Sequence, residues 1–408
     1  MWKAQVYSAL APQFAALLAN NGGKFDCGFC AKFADNRSEE RCARFQLSSH
    51  MLLARIFAMD RLRSLRLPLV LLALGLLARG LAAEESKNLK WPSRIIQLKA
   101  ESDAVRPPVL TALSLHSSGL LAAAGDDHLV RVWDLSKGLM VQRLEGHTDW
   151  VRSVAYSPTG EILASAGNDK RIIFWNALTG EKVKVFAEHP EAITMLTFSH
   201  DGRFLATTGF EDKIRIYEIN LGKQVMELSA DSRDMRALMY SPNDKYLAAG
   251  GRSGKVQVWN LENGEVVLED EEHRQRIRSV EFSPDGTLLA SCGEDRRIVV
   301  RNIATGAAPF VLPRRPAKIM AMTFYGNKQL ASAGSDNLIR LWDLESQQEM
   351  GRLTGHTGTV AALVFGDKTL ISTGFDTTIR VWSMEEQVAE QPLNTPRVGA
   401  LPDAAARE

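Results

Sequence analysis

Along residues 94–384, apolar and polar positions alternate in short runs with a period of two, the spacing of strands rather than helices. Val151–Tyr156 reads as one strand, Ile162–Ser165 as the next, Ile172–Trp175 as a third and Lys182–Phe186 as a fourth. Ser157-Pro158-Thr159-Gly160 makes the first turn, with proline presetting φ, and Asn168-Asp169 makes a tight second one. Ser241-Pro242-Asn243-Asp244 and Ser283-Pro284-Asp285-Gly286 repeat the first turn further on. Four short antiparallel strands therefore occupy about 42 residues.

One element recurs with nearly fixed spacing. The string Ala/Ser-x-Gly-x-Asp-x-x-Ile/Val-x-x-Trp places glycines at Gly125, Gly167, Gly209, Gly251, Gly293, Gly334 and Gly374, at intervals of 42, 42, 42, 42, 41 and 40 residues. Eight residues beyond each glycine stand Trp133, Trp175, Tyr217, Trp259, Arg301, Trp342 and Trp382. A lone four-stranded blade cannot bury both faces, whereas stacked neighbours bury one another's. The expected fold is all-β, a seven-bladed β-propeller of four-stranded antiparallel blades. Ser383-Met384-Glu385-Glu386-Gln387 makes a poor outer strand, while Arg94-Ile95-Ile96-Gln97-Leu98 matches the outer strand Met140-Val141-Gln142-Arg143-Leu144. Residues 94–98 are thus predicted to complete the last blade and close the ring. The propeller then spans 94–384, with a linker over 84–93 before it and a flexible tail over 385–408 after it.

These registers resemble the WD-repeat family of β-propellers. The likeness rests on Gly146-His147 with Trp175, on Gly355-His356 with Trp382, and on the dipeptides Trp133-Asp134 and Trp342-Asp343. It implies a buried hydrogen-bond chain within a blade: a His before the first strand, a Ser or Thr on the second, an Asp in the tight turn and a Trp on the third. His147, Ser165, Asp169 and Trp175 would form it in the second blade, and His356, Ser372, Asp376 and Trp382 in the seventh. The fifth blade has His273, Ser291 and Asp295 with Arg301 in place of Trp. The third has His189 and Thr207, with Glu211 and Tyr217 as near substitutes. The first, fourth and sixth put Arg106, Asp231 and Arg315 in the His position. His147, Ser165 and Asp169 are also the ingredients of a hydrolase triad, but that chemistry needs an exposed nucleophile beside an oxyanion hole. The same three types recur at matching offsets in three repeats, as a brace does and a single active site does not. No catalytic residue is assigned.

Composition narrows the function. The 408 residues carry 49 basic against 48 acidic side chains, a net charge of +1, so a general nucleic-acid binder is not expected. Asp126-Asp127-His128 reads as a solvated turn, and no Gly-rich loop precedes a helix, so neither a metal nor a cofactor is expected. Cys27-Gly28-Phe29-Cys30 has the C-x-x-C form, and Cys42 and His50 would complete a ligand set, but the gaps match no standard spacing. Residues 59–83 have the layout of a secretory signal: Arg61, Arg63 and Arg66, an apolar run over Leu67–Ala78, then Arg79-Gly80-Leu81-Ala82-Ala83. That run is about 12 residues, against the roughly 20 of a membrane span. The body is therefore expected to be exported, periplasmic or secreted, with no stable membrane span once the signal is removed and a membrane tether if it is not. Since signals belong at an N-terminus, Met59 is read as the start and residues 1–58 as an over-extended reading frame; with Met1 as the start, the segment acts as an internal signal.

Function is then expected on a surface. In the WD-repeat family, the residues three and five after the His position, with the residue before the turn Asp, ring one mouth of the channel. The resemblance carries this role onto Trp150, Arg152, Phe210, Arg236, Arg252, Arg276, Arg278, Lys318 and Phe375. The basic members outnumber the acidic Asp234 and Glu294 beside them, and are expected to be exposed and to steer an acidic segment of a partner, with the aromatics as anchors. The expected function is a non-enzymatic protein-interaction scaffold, monomeric, that docks other proteins through this mouth and binds no nucleic acid. The alternative is a propeller enzyme or small-ligand receptor using the central channel, which requires a unique cluster of carboxylates or histidines there.

Overall fold

A computed structural model of the chain describes residues 93–98, 106–186, 189–366 and 368–384. The C-x-x-C, the signal layout, both readings of the start site and the C-terminal tail lie outside these residues. Among the described residues, strands form seven four-stranded antiparallel sheets, six of them ordered as in the chain. The first strands, such as Leu110–Leu115, Val151–Tyr156 and Ile277–Phe282, touch one another around a ring. Val360–Gly366 packs back against Leu110–Leu115, so the ring is closed.

Closure uses both ends of the propeller. In the seventh sheet Ser93–Gln97 lies outermost, antiparallel to Thr378–Ser383, with Ile95 opposite Arg380 and Ile96 opposite Ile379. The strand starts one residue before the expected 94–98, and Leu98 N–H still donates to the Thr377 carbonyl at 3.2 Å. Ile96 and Leu98 turn into a core shared with Ile371 and Ile379 of the same blade and with Leu110, Leu121 and Trp133 of the first.

Apolar cores sit between the blades. The indole of Trp175 packs with Leu163 of its own blade and with Val130, Val132 and Leu144 of the blade before it. Burying one such ring removes about 150–250 Å² from water, worth about 4–6 kcal/mol at ~25 cal/mol per Å². Second strands such as Leu120–Gly125 and Ile162–Gly167 are buried on both faces, and after two large aliphatic residues they continue in Ala, Ser and Gly, small enough for closely packed neighbouring blades. The recurring glycine has a steric cause: a Cβ on Gly167 would run into the Trp150 carbonyl, which accepts from Asn168 N–H at 2.9 Å. Gly125 and Gly374 meet Val109 and Thr359 in the same way.

A hydrogen-bond chain runs through the second blade. Trp175 Nε1–H donates to Ser165 Oγ at 2.8 Å, and Ser165 Oγ lies 2.7 Å from His147 Nε2. His147 Nδ1 lies 2.7 Å from Asp169 Oδ2. The carboxylate can only accept, so Nδ1 carries the proton, Nε2 accepts from the serine, and every group is satisfied. Asp169 also takes Thr148 N–H and Arg171 N–H, both at 3.2 Å, which ties the turn to the loop before the first strand. The seventh blade repeats this through His356, Ser372, Asp376 and Trp382, with links of 2.7, 2.7 and 2.9 Å. Although burial pushes the Asp169 and Asp376 carboxyls up, their His and backbone partners outweigh it and hold them below the ordinary value.

The incomplete blades substitute in different ways. In the fifth, His273 bridges Asp295 and Ser291, while Arg301 turns to Asp270 with bonds of 2.9 and 2.7 Å. In the third, His189 lies 3.4 Å from Thr207 Oγ1 and 3.1 Å from the Glu191 carbonyl, and Glu211 is held by both amino groups of Arg215. Glu211 Oε1 also lies 3.3 Å from His189 Nδ1, so it takes the place of the turn Asp while sharing its carboxylate with Arg215. In the sixth, the Arg315 guanidinium sits 4.0 Å from the centre of the Trp342 ring and reaches Glu349 twice at 2.9 Å. In the first, Arg106 pairs with Asp126 at 2.6 Å, and Asp127 with Arg131 at 2.6 Å.

Two stability outcomes follow from this packing. Ile96→Asp should lower unfolding free energy by about 2–3 kcal/mol in a urea titration, whereas Ile95→Asp, at a side chain 49% exposed, should stay within about 0.5 kcal/mol. Equal losses would contradict the register of the closing strand. Ser165→Ala orphans a buried indole N–H and an imidazole nitrogen, while Ser332→Ala orphans only the Trp342 indole N–H. At about 1–3 kcal/mol per orphaned group, the first should melt well below the second.

Candidate functional site at the channel mouth

A bulge in most first strands, as between Val151 and Ser153 and between Ile277 and Ser279, breaks the alternation and turns one extra residue towards the axis. The six side chains so placed are Thr111, Arg152, Thr194, Arg278, Met320 and Ala361; with Arg236, just before the first strand of the fourth blade, they line a central cavity of about 430 Å³. Three guanidinium groups thus share one ring. Deeper in, the register of the first two strands puts Ser114, Ala155, Thr197, Met239, Glu281, Thr323 and Val364 at one level. Glu281 is the carboxylate among them.

The expected mouth residues come together as a connected row. Arg152 lies 4.5 Å from the Trp150 ring centre and 5.8 Å from that of Phe210, and Arg236 covers Phe210 at 4.9 Å. Arg236 Nε donates to Asp234 Oδ1 at 2.6 Å, and Arg276 reaches Asp234 Oδ2 at 2.6 Å and Glu294 Oε1 at 3.1 Å. Arg278 Nε donates to Glu294 Oε1 at 2.9 Å, and Lys318 Nζ to Glu294 Oε2 at 2.8 Å. Phe375 and Trp150 line the cavity, and the Phe375 ring is 52% exposed. Arg252 is exposed and stands apart from the row.

The expectation of free, exposed steering charges is corrected by these contacts. Arg236, Arg276 and Arg278 are half-buried and bonded to Asp234 and Glu294, Arg236 and Arg278 each within its own blade and Arg276 across to the neighbouring one. Burial alone would push the Glu294 carboxyl up; Lys318 and Arg278 beside it hold it down at about 2. Arg152 differs. Its partners are Asn168 Oδ1 and two aromatic faces, and no carboxylate among the described residues pairs with it. Burial, and then the charge of Arg236, lower its affinity for its proton.

Glu281 is the residue that sequence reasoning missed. It has no hydrogen-bond or ion-pair partner among the described residues, and burial pushes its carboxyl up to about 8. Its signal lay in comparing repeats slot by slot, since no other first strand places an ionisable group at that level. Ser165 and Ser372 are fully buried, and each oxygen is engaged by both an indole and an imidazole, which leaves no side for a substrate. Cys292 is likewise buried, with its thiol pushed up by desolvation.

The family described as "WD domain, G-beta repeat" matches residues 97–134, 138–176, 180–218, 222–260, 264–302, 312–343 and 347–383. A stretch of 44 residues is 48% identical to the nuclear distribution protein PAC1 of Coccidioides posadasii, covering 11% of this chain and 9% of that protein. Another of 73 residues is 33% identical to the DENN domain and WD repeat-containing protein SCD1 of Arabidopsis thaliana, covering 18% and 6%. PAC1 of Arthroderma benhamiae is 47% identical over 58 residues, 14% of this chain and 13% of that protein. The chain thus spans only a small part of the length of these relatives. WD-repeat propellers typically bind other proteins. With seven matched segments that together take in well over half of the sequence, and a four-stranded blade for each, the chain belongs to the WD-repeat family.

Proposed function

We propose that the chain is a non-enzymatic docking module, exported from the cytoplasm, that receives an acidic segment of a partner protein at the mouth built by blades two to six. The observation that carries this reading is the connected row from Trp150 to Lys318, in which four basic side chains share two carboxylates and a fifth, Arg152, stacks on the aromatic rings. The row keeps a surplus of positive charge, and its side chains are already held in place, so a docking carboxylate meets donors that need little ordering. Trp150, Phe210 and Phe375 supply apolar area next to those donors, the mixture that interface anchors favour. The buried, doubly bonded serines support a non-enzymatic role, and residues 59–83 support export.

A photo-reactive phenylalanine analogue at position 375 tests the surface. It should crosslink a partner peptide rich in Asp or Glu beside an apolar residue, while the same group at Val183, 58% exposed on the outer strand Lys182–Phe186, should capture nothing. Crosslinks at 183 alone, or peptides without acidic residues, would overturn the assignment. Export is tested by sequencing the native N-terminus, which should begin near Glu84 in protein recovered outside the cytoplasm.

A further inference from the structure

A guanidinium and a carboxyl group face the same cavity, neither with an ion-pair partner among the described residues. Arg152 stands in the upper ring, between Trp150 and Phe210, with only Asn168 as a hydrogen-bond acceptor. Glu281 stands deeper, three residues beyond Arg278 on the first strand of the fifth blade and level with Met239 and Thr323. At roughly 3.3 Å per residue the two levels lie about 10 Å apart along the channel. They sit on the second and fifth of seven blades, on opposite sides of the axis, which keeps them from pairing with each other. A desolvated carboxyl without a partner stays neutral by keeping its proton, and a cation brought beside it would favour the ionised form. At about 430 Å³, the cavity lies within the roughly 300–1,000 Å³ typical of small-molecule sites.

We infer that the channel binds a small zwitterion, an aminocarboxylate whose anionic end is taken by Arg152 with Arg236 and Arg278 and whose ammonium end reaches Glu281. Arg236 and Arg278 keep Asp234 and Glu294 and offer their remaining N–H groups, while Arg152 gives the carboxylate its unshared guanidinium. Met195, Met239 and Met320 line the wall, an adaptable apolar surface for the methylenes that join the two ends. The site requires no docked protein, so it goes beyond the docking role and can stand without it.

The proposal has a proton signature. Burial keeps Glu281 largely protonated at neutral pH, so an incoming ammonium must displace that proton. The strands packed on Ile277–Phe282 bring Tyr240, Tyr246, Cys292 and Tyr325 as titratable groups and Arg236 at the mouth. Burial pushes Tyr240, Cys292 and Tyr325 up, so none of these three adds charge near neutrality, and Arg278 of the same strand stays paired with Glu294.

The test is calorimetric titration of the full chain with ω-amino carboxylates from β-alanine to 8-aminooctanoate. Affinity should peak at an intermediate length, and for the best member should rise about tenfold from pH 6 to pH 7, with proton release to the buffer. Glu281→Gln should weaken binding at least tenfold and abolish the pH dependence, and Arg152→Gln should weaken it comparably. Hexanoate, which lacks the ammonium, should bind the native protein and Glu281→Gln equally. Glu281→Gln replaces a group that is largely neutral at pH 7, so its melting temperature should match the native one, and crosslinking at position 375 should persist in it. Absence of binding by any chain length at 10 mM, or unchanged binding by Glu281→Gln, would overturn the zwitterion site and leave the docking surface standing. Loss of crosslinking with retained titration would do the reverse.

Discussion

Each blade has two apolar faces and only its neighbours to cover them, and the rest of the molecule follows from that constraint. A ring with one open joint would leave the inner face of Leu110, Leu121 and Trp133 wet, together with Ile371 and Ile379 on the other side. The chain closes this joint by pairing Ser93–Gln97 with Thr378–Ser383, segments almost 300 residues apart. The braces act at a smaller scale. They fix the turn and first strand of a blade to its second and third strands, and so set the angle at which the face meets its neighbour. Ser165 and Asp169 are therefore parts of the ring's joint as much as of their own sheet.

Most of this was legible because repetition multiplies the signal. Val151–Tyr156 and Lys182–Phe186 have the bounds that alternation suggests, while Ile162–Gly167 and Ile172–Asn176 run longer than the side-chain pattern, since backbone pairing continues past the last alternating residue. The brace was legible for the same reason, as identical residue types at identical offsets. Substitutions across blades were not. Arg301 reads as a lost tryptophan, yet it bonds Asp270 on the outer strand of the preceding blade. Where Trp175 packs on Leu144 and Trp382 on Leu353, the fifth blade has an ion pair at the same joint. Two departures that look like decay in separate repeats are one compensated exchange, visible only when the blades are side by side.

The mouth shows the same limit for charge. Counting basic and acidic residues predicted the surplus but not its wiring, because Arg276 to Asp234 and Lys318 to Glu294 join neighbouring blades through side-chain torsions that no periodicity encodes. The wiring changes the physics. A free arginine on a rim carries its entropy into any complex, whereas Arg236, Arg276 and Arg278 have already lost much of theirs to Asp234 and Glu294. Such a surface contributes less to long-range steering than the charge count implies, and more to the geometric selectivity of what binds.

The fold itself explains neither Arg152 nor Glu281. The slots that make the ring, such as the glycine under the Trp150 carbonyl and the alanines of the second strands, are filled nearly alike in most blades because closure constrains them all. The slots that face the channel are free of that constraint, and they diverge: Ser114, Ala155, Thr197 and Val364 satisfy the same backbone that Glu281 occupies. A neutral side chain at that level would avoid the desolvation that drives the Glu281 carboxyl up to about 8. In a repeat protein the structural requirement can be read from what the repeats share, so an ionisable group kept at one channel position at the cost of its own solvation is best explained by something outside the fold that meets it there.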